Sequence, residues 1–134
     1  METSDAGSII LDSSVWVAFL RDSDSQRGKA KRILGNLQDA AVAVPEYVLV
    51  EVATALKNKG YEKVAKKFVA EVMEDGRAFL PAGESLAHAT AKLFLERERD
   101  YLSFTDTALL ALSEQYRVIT FDRKLQKAID KARG

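Results

Sequence analysis

Two aspartates in the 134-residue sequence stand where they could hold divalent cations. Asp12 directly follows the apolar stretch SIIL, and Asp122 directly follows VITF, so each is predicted at the carboxyl end of a strand. In open parallel sheets, ligands collect beyond these strand ends. Carboxylates there could hold two hard cations, which activate water and stabilise charge on a phosphodiester. Taken singly, however, each aspartate is explained better as the N-cap of the helix that follows it.

A third candidate, Asp106, also has a structural explanation. Ser103 and Asp106 have the spacing of a capping box in front of an apolar helix. The segment FTDTALLALS is apolar nearly all round after its first turn, which is typical of a buried helix. A carboxylate that opens a buried helix needs a compensating partner, and a cation would supply one.

Glu51 is the acid that capping cannot explain. In the helix predicted after Pro45, the inward stripe is Val48, Val52, Ala55 and Leu56. Glu51 falls about 60° from Val48 on the same face. A carboxylate on a buried face must pair with a cation, become protonated or bind metal. An ion pair with Arg123 is the alternative to a metal.

Three hydroxyls and two basic residues lie near these acids in sequence. Ser14, Thr105 and Thr120 are each within two residues of an acid, where they could orient it or hold a metal-bound water. Local capping and turn hydrogen bonds explain them equally well. Arg123 and Lys124 follow Asp122 and are candidate contacts for an RNA backbone, although solvated surface charge is the more general explanation.

Composition excludes several classes of protein. Cysteine is absent, which removes disulfides and thiolate metal sites, and 20 basic residues balance 20 acidic ones. His88 is the only histidine, so a ribonuclease that uses a histidine pair is excluded. His88 is predicted to face water, about 200° from the inward stripe of Leu86, Ala89, Leu93 and Phe94. With no secretory or membrane-spanning segment, the expected location is the cytoplasm.

Short apolar strands alternate with helices along the chain. The predicted strands are 8–11, 41–44, 77–80 and 117–120, and a final helix follows Asp122. This alternation predicts an α/β fold in which helices cover both faces of a parallel sheet. We predict one domain over residues 1–134, with residues 1–7 as a flexible tail.

The segments IILDSSVWVAFL, VPEYVLVEVATAL, LSFTDTALLALS and VITFDRKL resemble, in order, the four acid-bearing segments of PIN-domain nucleases. The resemblance covers about residues 8–125. It implies a three-layer α/β/α sandwich with a central parallel sheet of four to five strands. The metal-binding acids would be Asp12, Glu51, Asp106 and Asp122, and Ser14 and Thr120 match the hydroxyl positions beside the first and the fourth.

The resemblance also implies function. PIN nucleases cleave single-stranded RNA with Mg²⁺ or Mn²⁺ and are usually homodimers. Small members are most often VapC-type toxins, whose antitoxin inserts a segment into the acidic cleft. Many relatives have a short strand after the fourth acid, whereas RKLQKAIDKARG reads as helix.

Three alternatives stay open at this point. One is a PIN-fold module that binds RNA or protein without catalysis, and another is an RNA-processing nuclease that has no antitoxin. The third is a phospho-accepting domain, which would need a second acid near the first strand and a lysine after a late strand.

Overall fold

A computed structural model describes residues 9–37, 41–74, 78–98 and 101–134. Within these ranges, four strands form one sheet in the order β3-β2-β1-β4, and every neighbouring pair is parallel. The strands are β1 (Ile9–Leu11), β2 (Val42–Pro45), β3 (Phe79–Leu80) and β4 (Arg117–Ile119). The predicted α/β class and central parallel sheet are confirmed, with four strands in the described ranges.

Seven helices in the described ranges flank the sheet. They are α1 (Ser13–Leu20), α2 (Arg27–Asn36), α3 (Glu46–Asn58), α4 (Glu62–Glu74), α5 (Gly83–Glu96), α6 (Phe104–Leu112) and α7 (Arg123–Ala132). The sequence predicts a helix from about Phe104 to Gln115, and α6 ends three residues earlier, at Leu112, because Ser113 begins a turn that leads into β4. Three sets of predicted positions lie outside the described residues: residues 1–7 of the tail, Ser8 and Arg77 at the starts of two strands, and Arg99, the end of a helix predicted from Ser85.

The sheet separates two hydrophobic cores. Ile10 of β1 belongs to one core, together with apolar side chains of α3, α4, α6 and α7. Ile9 and Leu11 belong to the other, together with Val15 and Ala30 of the first two helices. Successive side chains of a strand point to opposite faces, so a three-residue strand serves both cores. The result is the three-layer arrangement that the resemblance implied.

The carboxyl edge of the sheet is set by the β1/β4 register. Leu11 pairs with Ile119, and the next backbone contact is a 2.9 Å hydrogen bond that the Asp12 amide donates to the Ile119 carbonyl. This contact brings Asp12 beside Thr120 and near Asp122. After Asp122 the chain is helical, as predicted, so the described residues contain no strand beyond the fourth acid.

The longest helix in the described part of the chain, α5, has 14 residues. None of the described helices has the length and apolar character required to cross a membrane.

Candidate active site

Asp12 lies at the centre of the site, only 3% exposed. It is the N-cap of α1: its Oδ1 accepts a 2.7 Å hydrogen bond from the Ser13 amide. Its Oδ2 accepts hydrogen bonds from Thr120 Oγ1 at 2.6 Å and Ser14 Oγ at 2.9 Å. The carboxylate is therefore held at both oxygens, which fixes its orientation.

The two hydroxyls also tie β4 to α1. Ser14 Oγ accepts a 3.0 Å hydrogen bond from the Phe121 amide, and Thr120 Oγ1 accepts one of 3.0 Å from the Asp122 amide. Each hydroxyl thus donates to Asp12 and accepts from the chain beside Asp122. Through them, the positions of the first and fourth acids are coupled.

Glu51 faces the same place from α3. Its helix buries Val48, Val52 and Leu56, and Glu51 itself is partly buried on the side that meets α1. Glu51 Oε1 accepts a 2.5 Å hydrogen bond from Ser13 Oγ, which also lies 3.5 Å from Asp12 Oδ1. The predicted inward position of Glu51 agrees with this geometry.

Asp106 and Asp122 are partly buried at the N-terminal ends of α6 and α7. Asp106 Oδ2 accepts a 3.2 Å hydrogen bond from the Ser103 amide, and Ser103 Oγ accepts one of 3.0 Å from the Asp106 amide, completing a capping box. Asp122 Oδ1 accepts from the amides of Lys124 and Leu125 at 2.8 and 3.2 Å. Capping, the structural alternative, is therefore present at Asp12, Asp106 and Asp122.

Capping uses only part of the binding capacity of these acids. Among the described residues, the protein hydrogen bonds of Glu51, Asp106 and Asp122 all fall on one oxygen of each carboxylate. A carboxylate has about four lone-pair sites on its two oxygens. The second oxygen of each of the three acids can thus serve a ligand while the first fixes the side chain.

The four acids repel one another. Burial raises the pKa of Glu51 above its usual 4.5, a hydrogen bond from Ser13 opposes this, and the charges of Asp12 and Asp106 raise the pKa further. Burial likewise raises the pKa of Asp106, with added repulsion from Asp12 and Asp122 and an opposing effect of hydrogen bonds with Ser103. No cationic side chain in the described ranges offsets the repulsion at either residue. The predicted alternative, a Glu51 ion pair with Arg123, is therefore wrong.

The fit of these residues to a divalent cation can be judged from their chemistry and spacing. The donors are all carboxylate and hydroxyl oxygens, which Mg²⁺ and Mn²⁺ prefer. In the described part of the chain, no three acidic or imidazole side chains are grouped closely enough to hold an ion as they stand. The donor set fits a hard cation, and the carboxylates would have to draw together around it.

Ser13 is the residue of the site that sequence reasoning missed. Two serines follow the Asp12 cap, and only Ser14 was singled out, because it matches a position of the resembled family. The structure shows that Ser13 joins Asp12 to Glu51 across the α1/α3 contact. The consecutive hydroxyls in DSS were the available signal, but which one meets α3 depends on helix packing.

The family resemblance implies metal-dependent RNA cleavage, and we expect Ser13→Ala to lower such cleavage about 10-fold, because groups that orient metal ligands typically contribute 10- to 100-fold to metal affinity or activity. Raising the Mn²⁺ concentration should recover much of the loss, which a general defect in folding would not permit. Ser85→Ala on the exposed side of α5 is the matched control and should cleave normally. Equal cleavage by the two variants at every Mn²⁺ concentration would show that Ser13 does not position the acids.

The remaining predicted residues lie around the acids. Thr105 lines a 490 Å³ pocket with Glu51, Tyr47 and Thr54, and it makes no side-chain hydrogen bond with an acid among the described residues. Lys124 and Arg123 are both exposed in the first turn of α7. Lys124 Nζ lies 4.5 Å from the centre of the Tyr101 ring. His88 is exposed on α5, as predicted.

Comparison with known proteins adds a family and a fold. The family model described as the PIN domain matches residues 9–131. VapC20 of Mycobacterium tuberculosis, described as a toxin that cleaves the sarcin-ricin loop, has a similar crystal structure, with a TM-score of 0.75. The match covers 90% of this chain and 95% of VapC20 at 22% sequence identity, so the likeness establishes the fold. A sequence search of curated proteins finds no match.

Proposed function

Since the chain belongs to the PIN-domain family, we propose that it is a metal-dependent endoribonuclease that hydrolyses single-stranded RNA. The observation that supports this most strongly is the electrostatic state of the site. Glu51 and Asp106 come from distant parts of the chain, lie partly buried near Asp12, and have raised pKa values that no cationic side chain among the described residues offsets. Such an arrangement is costly unless a cation binds there.

In this proposal Asp12, Glu51, Asp106 and Asp122 hold Mg²⁺ or Mn²⁺. A bound divalent cation lowers the pKa of a coordinated water and offsets charge on the reacting phosphate. Asp12 contributes a carboxylate fixed by Ser14 and Thr120, and the other three acids each offer an oxygen free of protein hydrogen bonds within the described residues. Ser13 orients Glu51.

The test of this function is RNA cleavage by the purified protein. With Mn²⁺, the protein should cut a single-stranded RNA, and EDTA should stop the reaction. Products with 5′-phosphate and 3′-hydroxyl ends are expected, because in the proposed reaction water attacks the phosphorus and the 3′-oxygen leaves. Binding of RNA without cleavage at any Mn²⁺ or Mg²⁺ concentration would instead indicate the non-catalytic module.

The phospho-accepting alternative fits the site poorly. Both oxygens of Asp12 accept hydrogen bonds from neighbouring groups, which leaves the carboxylate poorly placed to act as a nucleophile. The residues after β4 are Thr120, Phe121 and Asp122, so no lysine stands directly beyond this strand. Incubation with a small phosphodonor should therefore leave the protein unmodified, and a stable aspartyl phosphate would contradict the nuclease assignment.

We further propose that the protein is the cytoplasmic toxin of a type II toxin-antitoxin pair. The fold shared with VapC20, 95% of which the match covers, supports this. A cognate antitoxin would place a basic segment in the acidic cleft, where it would relieve the same repulsion as a cation. The product of an adjacent small reading frame should bind the protein and inhibit cleavage, whereas cleavage unaffected by that product would favour an RNA-processing nuclease.

A homodimer is also part of the proposal. Exposed apolar side chains on α3 and α5 support it: Val50 is 58% exposed and Phe94 is 46% exposed. Phe104 packs on both Phe94 and Tyr47, so these rings form a continuous surface. Analytical ultracentrifugation at micromolar protein concentration would measure the oligomeric state, and a monomer would contradict the proposal.

A further inference from the structure

A groove lined by basic side chains runs along α7 from Lys124, in the first turn of that helix, to Lys131. Its volume is 590 Å³, and it is lined by Arg97, Tyr101, Leu102, Lys124, Lys127, Ala128 and Lys131. Leu102 and Ala128 are buried and form its floor. The lining contains three lysines and no acidic residue, so it is basic although the whole chain has no net charge.

The groove approaches the acidic site at the N-terminal end of α7. Lys124 is two residues after Asp122, in the first turn of α7. Tyr101 is two residues before Ser103, which forms the capping box with Asp106. The Lys124 amide donates a 2.8 Å hydrogen bond to Asp122 Oδ1, so one end of the groove lies close to Asp122.

The lysines on α7 are spaced for a regular polyanion. Lys124, Lys127 and Lys131 fall within an arc of about 60° on one helix face. They span about 10.5 Å along the axis, roughly the length of three stacked nucleotides. None of the three forms an ion pair with another described residue. Arg123 lies about 40° outside this arc on α7 and does not line the groove.

Tyr101 gives the groove an aromatic surface. Tyr101 is 80% exposed, and the ammonium group of Lys124 lies 4.5 Å from the centre of its ring. Because the residue is so exposed, much of its ring remains open to a ligand. An open aromatic face beside a cationic track is the combination that binds single-stranded nucleic acids, by base stacking and phosphate contacts.

We propose that this groove binds the single-stranded RNA on one side of the cleaved phosphate. Tyr101 stacks on a base, and Lys124, Lys127 and Lys131 contact successive phosphates. Charge complementarity and closeness to the acidic site favour RNA over a protein segment as the occupant. The inference rests on the proposed ribonuclease function, since it assigns the substrate a path through that site.

The test measures binding of a fluorescent single-stranded RNA to the Asp12→Asn protein by anisotropy, without metal. Tyr101→Ala should weaken binding on the order of 10-fold, whereas Tyr101→Phe should bind normally, because stacking needs the ring and not the hydroxyl. The fluorescence of a 2-aminopurine base in the RNA should fall when the RNA binds, and it should not fall with Tyr101→Ala. Equal affinity and equal quenching for Tyr101→Ala would overturn the stacking role.

The phosphate contacts of the lysines are tested by the salt dependence of RNA binding. Each phosphate contact to a single strand adds about 0.7 to the slope of log affinity against log salt concentration. We expect the slope to fall by about 2 in the triple alanine variant of Lys124, Lys127 and Lys131. The matched control is the triple alanine variant of Lys63, Lys66 and Lys67 on α4, which removes the same charge elsewhere. Equal slopes for the two triple variants would overturn the proposal.

The outcomes separate this inference from the nuclease proposal. If the groove variants lose RNA affinity while the unmodified protein cuts no RNA, the groove stands and the nuclease assignment fails. If the protein cuts RNA and the groove variants bind it normally, the groove assignment fails alone. If those variants lose affinity for a polyglutamate peptide but not for RNA, the occupant is an acidic protein segment and the RNA inference is overturned.

Discussion

Asp12→Asn is expected to reduce RNA cleavage by at least about 10³-fold while the protein stays folded, because the charge of this acid is central to cation binding. Asp12 is the most buried of the four acids and lies next to both Thr120 and Ser13. The asparagine oxygen can still accept from the Ser13 amide. Its NH₂ group can donate to the Ser14 and Thr120 hydroxyls, since hydroxyls both donate and accept.

The matched control is Asp130→Asn, which removes one negative charge from the exposed side of α7. Asp130 accepts a hydrogen bond from Gln126, so this control also changes a hydrogen-bonded aspartate. Circular dichroism and thermal unfolding should show that both variants are folded. Cleavage by Asp12→Asn within a few-fold of Asp130→Asn would remove Asp12 from the proposed site.

Glu51→Gln is expected to have opposite effects on activity and stability. Cleavage should fall about 10²-fold or more, because a charged donor to the cation is lost. The metal-free protein should become more stable at neutral pH by roughly 1 kcal/mol, the usual size of a single-site effect. The reason is that glutamine removes a repelled, partly buried charge and keeps an oxygen for Ser13.

The sign of the pH dependence follows from the raised pKa of Glu51. The folded state then holds a proton on Glu51 more tightly than the unfolded state, so this residue stabilises the protein less as pH rises. The increase in the free energy of unfolding caused by Glu51→Gln should be complete above the raised pKa and absent below about pH 4.5. Urea unfolding in EDTA at pH 7.5 and pH 4 measures this, and a variant less stable at pH 7.5 would contradict it.

The position of the acids could be read from the sequence because it depends on simple geometry. Asp12 and Asp122 follow parallel strands that are neighbours in the sheet, so they meet at its carboxyl edge. Glu51 follows the helical stripe that buries Val48 and Val52. These positions can be predicted from the direction of the strands and the periodicity of the helix alone.

Contacts between helices could not be read in this way. Phe94 and Ala89 were predicted to face inward, but both are exposed, and Thr90 is the residue of α5 that is buried. The observed stripe of Leu86, Thr90 and Leu93 has helical spacing, yet its central residue is polar. Phe94 instead packs on Phe104. The bridge from Ser13 to Glu51 and the groove beside Tyr101 also depend on helix packing, which hydrophobic patterns do not specify.

The most direct test of a shared cation site is a crystal structure of the protein soaked with Mn²⁺ and measured at the manganese absorption edge. We expect an anomalous peak within about 2.3 Å of oxygens from at least two of the four acids, Asp12 among them. The carboxylates should lie closer together than in the metal-free structure. Manganese bound elsewhere, or no peak at Asp12 under conditions that support cleavage, would contradict the account.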